Sequence, residues 1–301
     1  MDSVQAGAAG SVRPADYGVS SMTARLERVL VRRPALTGDW EAAEWRRPDP
    51  DLLHAQHEAF CTLLADLGCR VEVAEALEGL VDATYVHDPF VMTPGGAIVL
   101  QQAKPVRAGE PRAAERDLSR IGVPVAGRLT GAARADGGDK LWLDERTVAL
   151  GATYRTNAEG RRQLREQLGA QKIAVEVFDL PHDRGPSSVL HLLSLASPVT
   201  DRLYVLFEPL APVRLLETLR ERDIEWIAVS PDEYGRLGTN VLAVAPGVVV
   251  VAEGAPEVRR ALEGRGCEVH EYAASELSMK GDGGPTCLTA PLLRRAGGQG
   301  D

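Results

Sequence analysis

The sequence predicts an α/β fold, a closed ring of about five units in which each unit combines a β-hairpin with a helix. Apolar runs occur in pairs separated by turn residues, and segments of helical periodicity lie between the pairs. A polar residue lies at or just before the start of each of four pairs, and these residues are Asp88, Asp136, His191 and Asn240. Cys287 lies at the start of a fifth apolar run. The intervals between these five residues, of 48, 55, 49 and 47 residues, define a repeat near 50. Because equivalent strands of a ring begin near its axis, the five side chains are predicted to share one central pocket.

The N-terminal elements follow an alternating α/β pattern. From Leu26, the residues LERVLVRR predict a short strand that ends before Pro34. The segment PDPDLLHAQHEAFCTLLADLG predicts a helix that is capped at Asp49 or Asp51 and ends at Gly68. Three further helices with charged outer faces are predicted near residues 157–168, 213–222 and 256–264.

Four predicted hairpins lie between these helices. Their sequences are FVMTPGGAIVL, LWLDERTVALG, VLHLLSLASPVTDRLYVLFE and NVLAVAPGVVVVAEG. Each has a turn signal between two β-rich stretches, and in the third His191 interrupts an otherwise apolar β-like run.

Length, composition and charge restrict the class of protein. The chain of 301 residues is 44% hydrophobic, enough for one large core, and we expect a single domain over 21–296 with loose tails at 1–20 and 297–301. The formal net charge is −9 and the basic residues form no block, which argues against nucleic acid or an anionic membrane as partner. We expect a small-molecule ligand. A homodimer is also considered, although the sequence does not determine the oligomeric state.

Cysteine usage indicates a reducing compartment. The four cysteines, Cys61, Cys69, Cys267 and Cys287, lack C-x-x-C spacing and are too few for a disulfide scaffold. The first residues hold no apolar run preceded by basic residues, and the longest apolar runs are too short to span a membrane. A cytoplasmic location is therefore predicted. The histidines and cysteines lack the spacing of a zinc site, and we expect neither metal nor organic cofactor.

Two residues are candidates for nucleophilic chemistry. Cys287, in KGDGGPTCLTAPL, follows a glycine-rich turn, and it could be either a reactive thiol or a small buried core residue. His191 taken alone could be a buried core histidine. Paired with a reactive cysteine, it becomes a candidate general acid and base.

Acidic residues form two further signals. Asp136 and Asp139 flank a glycine pair in ADGGDKLW, and Asp82 and Asp88 lie six residues apart in DATYVHDPF, where His87 neighbours Asp88. Either segment could be an ordinary turn. The sequence offers no matching set of further metal ligands, so carboxylates that face a cationic ligand explain these residues better.

Six motifs together resemble one known superfamily. They are DATYVHDP, ADGGDKLW, TYRTNAEG, LHLLSLAS, GTNVLAV and GGPTCLT. In this order they are similar to the amidine-modifying proteins with a five-bladed β/α propeller, the pentein fold. The resemblance is greatest to the dimethylarginine dimethylaminohydrolases and next to the arginine deiminases, and it extends over about residues 26–295.

The resemblance implies a cysteine hydrolase that acts on the guanidino carbon of an arginine-like substrate. Cys287 matches the nucleophile, His191 the catalytic histidine, and Asp136 the carboxylate that partners this histidine. Asp82 and Asp88 fall where relatives bind the guanidinium nitrogens. A covalent S-alkylthiouronium would form on the cysteine and be hydrolysed to a ureido product, citrulline for an arginine-like substrate.

The resemblance also implies how the rest of the substrate is bound. Arg155 in YRTN and Arg107 in KPVRAGE fall where relatives hold the substrate α-carboxylate, with Arg112 competing with Arg107. His87 stands where the dimethylarginine enzymes usually have glutamate, so the guanidinium-binding set is altered on that side. N-ω-methylated arginine is the first expected substrate. The alternatives are an arginine deiminase, an amidinotransferase and a non-catalytic regulatory propeller that binds guanidino compounds.

Overall fold

The computed structural model describes residues 16–186 and 188–296. The fifteen strands of this part are β1 (Arg25–Arg32), β2 (Arg70–Ala74), β3 (Phe90–Thr93), β4 (Gly96–Val99), β5 (Val125–Arg128), β6 (Lys140–Asp144), β7 (Thr147–Ala152), β8 (Ala174–Asp179), β9 (Ala196–Thr200), β10 (Leu203–Leu206), β11 (Glu225–Ala228), β12 (Leu242–Ala245), β13 (Val248–Ala252), β14 (Glu268–Tyr272) and β15 (Ala290–Arg295). The α-helices are α1 (Pro50–Asp66), α2 (Glu110–Arg120), α3 (Ala158–Ala170), α4 (Leu192–Leu195), α5 (Val213–Glu221), α6 (Pro231–Tyr234) and α7 (Pro256–Gly264).

The strands form five separate three-stranded sheets. Four of them follow the chain in order, as β3-β4-β5, β6-β7-β8, β9-β10-β11 and β12-β13-β14. In each, the middle strand pairs antiparallel with the first strand and parallel with the third. A helix supplies the crossover that the parallel pair requires, and these helices are α2, α3, α5 and α7.

The fifth sheet unites the two ends of the domain. Its order is β15-β1-β2, with β1 antiparallel to β15 and parallel to β2, and α1 provides the crossover. The C-terminal strand therefore completes the sheet that the N-terminal strand begins. The predicted ring of five ββαβ units, a five-bladed β/α propeller, is confirmed.

Several predicted helices match the structure closely. Helix α7 has the predicted bounds, and α3 begins directly after its N-cap, Asn157. Of the two caps proposed for α1, Asp49 is the one used, since its side chain accepts from the backbone N–H groups of Asp51 and Leu52. Helix α2 was not predicted from the sequence because most of its residues are polar. The apolar residues on its buried face are two alanines and Leu118.

The residues from His191 to Leu195 do not form the predicted strand. His191 instead starts the single-turn helix α4: its carbonyl oxygen accepts from Ser194 N at 3.0 Å, and its own N–H donates to Ser194 Oγ at 3.1 Å. Strand β9 begins only at Ala196. In an apolar run this short, periodicity does not distinguish a helix from a strand. Here the hydrogen bond from His191 N to Ser194 Oγ closes a helical turn.

The ordered domain begins before the predicted boundary at residue 21. Gly18 N donates to Leu292 O at 2.8 Å on strand β15, and Val19 is buried. The predictions for residues 1–15 and 297–301 lie outside the described residues. Among the described helices, none is long and apolar enough to cross a membrane.

Candidate active site

The strand heads meet at a central cavity of about 400 Å³. Four of the five predicted axial residues, Asp88, Asp136, His191 and Cys287, line it, and Asn240 reaches it through Cys287. Residues far apart in the sequence are thus brought together by the ring, as the repeat predicts. The described residues contain no cluster of three or more His, Cys, Asp or Glu side chains arranged to hold a metal ion.

Tight packing positions the Cys287 thiol. A Cβ added at Gly283 would clash with the Tyr85 ring, and one added at Gly284 would clash with Asn240, so the turn before Cys287 needs glycine. Asn240 Nδ2 donates to Cys287 Sγ at 3.3 Å, and Asn240 Oδ1 accepts from Thr286 N at 3.0 Å. Asn240 therefore fixes both the backbone of the turn and the direction of the sulfur.

The Cys287 thiol is protonated at neutral pH. Burial, together with the negative charge of Asp88, raises the pKa of Cys287 to about 11, although the hydrogen bond from Asn240 opposes the rise. A cation bound beside the sulfur would lower that pKa, because it favours the thiolate. The geometry is thus suited to a nucleophile that is activated by a cationic ligand.

His191 is held between Gly138 and the Asp136 carboxylate. Its Nε2 lies 3.2 Å from Asp136 Oδ2, and both side chains are buried. A Cβ at Gly138 would clash with His191 Nδ1, which explains why glycine is needed on this side of the ring. Burial alone would lower the pKa of His191, but Asp139, Asp136 and Asp88 outweigh it and raise the pKa to about 9. The imidazole is therefore protonated at neutral pH and can donate a proton.

Asp136 has an oxygen available to a ligand. Oδ2 contacts His191, whereas Oδ1 is buried without a hydrogen-bond partner in the described part of the chain. An unsatisfied buried carboxylate oxygen is costly unless a ligand supplies the missing donor.

Asp139 has a different role from Asp136. Its carboxylate accepts from Thr153 Oγ1 and Thr156 Oγ1, each at 2.6 Å, and from Leu192 N at 3.1 Å. It does not line the cavity. These bonds join the glycine pair to the start of α4, so Asp139 supports the position of His191.

The other two predicted carboxylates already have internal cations. Asp82 Oδ2 lies 3.0 Å from Lys104 Nζ, and Asp82 Oδ1 accepts from Trp45 Nε1 at 2.8 Å. Asp88 Oδ2 accepts from Arg107 Nη1 at 2.6 Å. Nothing in the sequence singles out Lys104 or Trp45, because both are placed beside Asp82 only by the fold.

Arg107, a predicted carboxylate anchor, lines the central cavity, but its guanidinium already has acceptors within the protein. Its guanidinium is buried between Asp88 and Glu110, with both nitrogen–oxygen distances to Glu110 at 2.8 Å, and Nη2 also donates to Tyr85 O. The guanidinium N–H groups that would bind a substrate carboxylate therefore already donate to Asp88, Glu110 and the Tyr85 carbonyl. The competing residue, Arg112, lies on the outer side of α2 at a separate surface depression.

Arg155 fits the predicted role better. It is buried, it lines the cavity, and its Nε has no hydrogen-bond partner among the described residues.

His87 does not bind in the central cavity, contrary to prediction. Its Nδ1 lies 2.9 Å from Thr289 O, and the residue lines a second small cavity with Lys140. His87 lies in the turn that precedes strand β3, and its bond to Thr289 O directs its side chain away from the central cavity. Burial, with Lys140 nearby, lowers the pKa of His87 to about 4, and the ring is neutral.

Sequence comparison finds similarity to the arginine deiminases. The model of the arginine deiminase family matches residues 210–294. The arginine deiminase of Listeria welshimeri is 28% identical over 260 residues, which are 72% of this chain and 63% of that enzyme. The arginine deiminase of Lactococcus lactis is 25% identical over 276 residues, or 77% and 66% of the two chains. The chain thus spans less than two thirds of the length of these relatives.

Solved structures of similar fold cover nearly the whole domain. Dimethylarginine dimethylaminohydrolase from Pseudomonas aeruginosa, a cysteine-to-serine mutant with citrulline, has a TM-score of 0.74 at 22% identity, over 88% of this chain and 99% of that one. The amidinotransferase SxtG from Microseira wollei has a TM-score of 0.75 at 15% identity, over 93% and 98%. Five such units around a polar cavity give the chain the pentein fold of these solved structures. In sequence the chain is similar to the arginine deiminases.

Proposed function

We propose that this protein hydrolyses a C–N bond at the guanidino carbon of an arginine-like substrate, with Cys287 as nucleophile and His191 as acid and base. One observation carries the proposal. A single cavity holds a partly buried thiol, a protonated imidazole and a carboxylate oxygen, Asp136 Oδ1, that lacks a donor. A flat cation with several N–H groups supplies that donor and also the charge that the thiolate needs.

The first half-reaction follows from these positions. The guanidinium donates to Asp136 Oδ1, and its positive charge favours loss of the Cys287 proton to solvent. The thiolate attacks the central carbon and forms a C–S bond. His191 donates its proton to the departing nitrogen as the C–N bond breaks, which leaves an S-alkylthiouronium and a neutral imidazole.

The second half-reaction restores the site. Neutral His191 takes a proton from water, and the hydroxyl oxygen attacks the same carbon. The C–S bond then breaks and Cys287 departs as a thiolate that the Asn240 amide stabilises. The hydroxyl proton passes to solvent, and the neutral ureido product leaves. His191 ends protonated, as the neighbouring carboxylates favour.

The internal ion pairs favour a substrate with few N–H donors. Lys104 and Arg107 occupy part of the acceptor capacity of Asp82 and Asp88. An N-ω-methylated guanidinium has fewer N–H groups than an unsubstituted one. Fewer of its N–H groups would therefore lack an acceptor among the remaining carboxylate oxygens of Asp82 and Asp88. N-ω-methylated arginine is therefore the first candidate, and citrulline and an alkylamine are the products.

Free arginine is the second candidate, because the curated relatives and the matching family model are arginine deiminases. Ammonia would then replace the alkylamine as the leaving group.

A substrate panel tests the proposal. Arginine, monomethylarginine, asymmetric dimethylarginine and agmatine are incubated with the protein, and ureido product, ammonia and methylamines are quantified separately. Ureido product from a methylated arginine with stoichiometric alkylamine supports the first candidate, whereas ammonia from arginine supports the second. Product that forms only when an acceptor amine is added identifies an amidinotransferase. No turnover of any guanidino compound, with binding retained, identifies a regulatory protein and contradicts the proposal.

A further inference from the structure

A second, smaller cavity lies behind the active site. It measures about 20 Å³ and shares no lining residue with the central cavity. His87 and Lys140 line it, and their chain neighbours Asp88 and Asp139 support the active site on the other side. Arg294 of β15 closes it from a third direction.

The two charged residues that line this cavity, Lys140 and Arg294, are both positive. Lys140 is 7% exposed, and in the described part of the chain no acceptor bonds its ammonium group, which lies 5.6 Å from the centre of the Trp142 ring. Arg294 Nη1 and Nη2 donate to the carbonyls of Ala24 and Ala243 at 2.6 and 2.8 Å, neutral groups that do not balance its charge. None of the lining residues is an Asp or Glu.

Two buried cations without an anion are electrostatically costly. Burial, with Arg294 nearby, lowers the pKa of Lys140 to about 7, and burial lowers the pKa of Arg294 to about 10. An anion between them would remove this cost. The neutral His87 ring supplies no negative charge that could do so.

The size of the cavity restricts the anion. About 10–15 Å³ of such space holds one water-sized particle, so about 20 Å³ fits one monatomic ion. Phosphate, sulfate and carboxylates are larger than this space. We propose that the cavity formed by Lys140, Arg294 and His87 binds a single halide, chloride in ordinary solution.

Thermal unfolding of the whole protein tests this site without any measurement of activity. The unfolding midpoint is followed as chloride or bromide replaces gluconate at constant ionic strength, since gluconate is too large to enter. For the wild type we expect a saturable rise of about 2 °C with either halide, because a ligand that binds only the folded state stabilises it.

Matched variants locate the effect. Lys140→Met keeps the aliphatic stem and should abolish the difference between halide and gluconate. Arg165→Met removes an exposed charge from α3 and should retain it. Equal midpoints in halide and gluconate for the wild type, or an unchanged difference in Lys140→Met, would overturn the proposal.

Crystals of the wild type grown in bromide give a second measurement that does not depend on a variant. The proposal requires an anomalous peak beside Lys140 Nζ and Arg294. A water molecule at that position, with no anomalous signal, overturns it.

Discussion

The two sides of the central cavity differ in how their carboxylates are compensated. On one side, Asp82 and Asp88 are paired with Lys104 and Arg107. On the other, among the described residues, the Asp136 carboxylate bonds only to the His191 ring and keeps one oxygen unsatisfied. On the first, paired side, Asp82 Oδ2 also lacks a hydrogen bond among the described residues, but Lys104 Nζ lies 3.0 Å from it. On the second, unpaired side, Asp136 Oδ1 has neither a hydrogen bond nor an ion pair there. Side chains of the same type therefore have different roles, and removing each should have a different consequence.

The largest effect is expected at the nucleophile. Cys287→Ser should reduce turnover to below about 1% of wild type, because a serine hydroxyl forms too little anion in this buried site. Cys267→Ser, a cysteine remote from the cavity, should leave turnover unchanged. Steady-state rates and unfolding midpoints of the two variants are compared. Turnover of a few per cent or more in Cys287→Ser would remove Cys287 from its role.

The paired side should respond mainly in stability. Arg107→Met leaves Asp88 and Glu110 buried without their cation, and we expect a loss of about 3 kcal/mol in the free energy of unfolding. Arg222→Met is the matched control, since Arg222 also joins two carboxylates, Asp144 and Glu176, but is partly exposed. It should cost about 1 kcal/mol or less. Similar losses in the two variants, measured by denaturant unfolding, would refute the distinction.

The unpaired side should respond mainly in rate. Asp136→Asn removes both the partner of His191 and the free acceptor, and we expect kcat/KM to fall about 100-fold with little change in stability. Asp223→Asn, an exposed surface change, serves as control. A loss of stability as large as that of Arg107→Met, without a loss of rate, would contradict this role.

The same variant should change the pH dependence. Because folding raises the pKa of His191 to about 9, the protonated ring stabilises the folded protein. This contribution is fully present below about pH 6.5, the pKa in the unfolded chain, and it is lost as the pH rises through about 9. The acid-catalysed step should weaken over the same upper range. Asp136→Asn should move this alkaline limit to lower pH, and a pH profile of kcat/KM identical to the wild type would exclude the contact.

A smaller effect is expected at the far end of the substrate. Arg155 is the buried cation available to a substrate α-carboxylate, so arginine-like substrates should be preferred over agmatine by roughly 30-fold or more. Arg155→Ala should erase most of that preference, whereas Arg112→Ala on the outer side of α2 should retain it. Equal slowing of both substrates by Arg155→Ala would show that the anchor lies elsewhere.

The sequence predicts the ring and its axial residues because the repeat of about 50 residues brings equivalent strand heads together. It could not predict which carboxylates are already paired. Lys104 reaches Asp82 only in the folded ring. Arg107 is paired with Glu110 of helix α2, which was not predicted because its sequence is mostly polar. His87 was misassigned for a local reason, since its side chain faces away from that of Asp88.

The most direct test of the account is the mass of the protein during turnover. The reaction is quenched in acid within a single turnover, and the intact protein and its peptides are analysed by mass spectrometry. The account predicts an adduct on the peptide that contains Cys287, with the mass of the substrate less its leaving amine, and no adduct in Cys287→Ser. Continued turnover with no adduct, or an adduct on another residue, would contradict it.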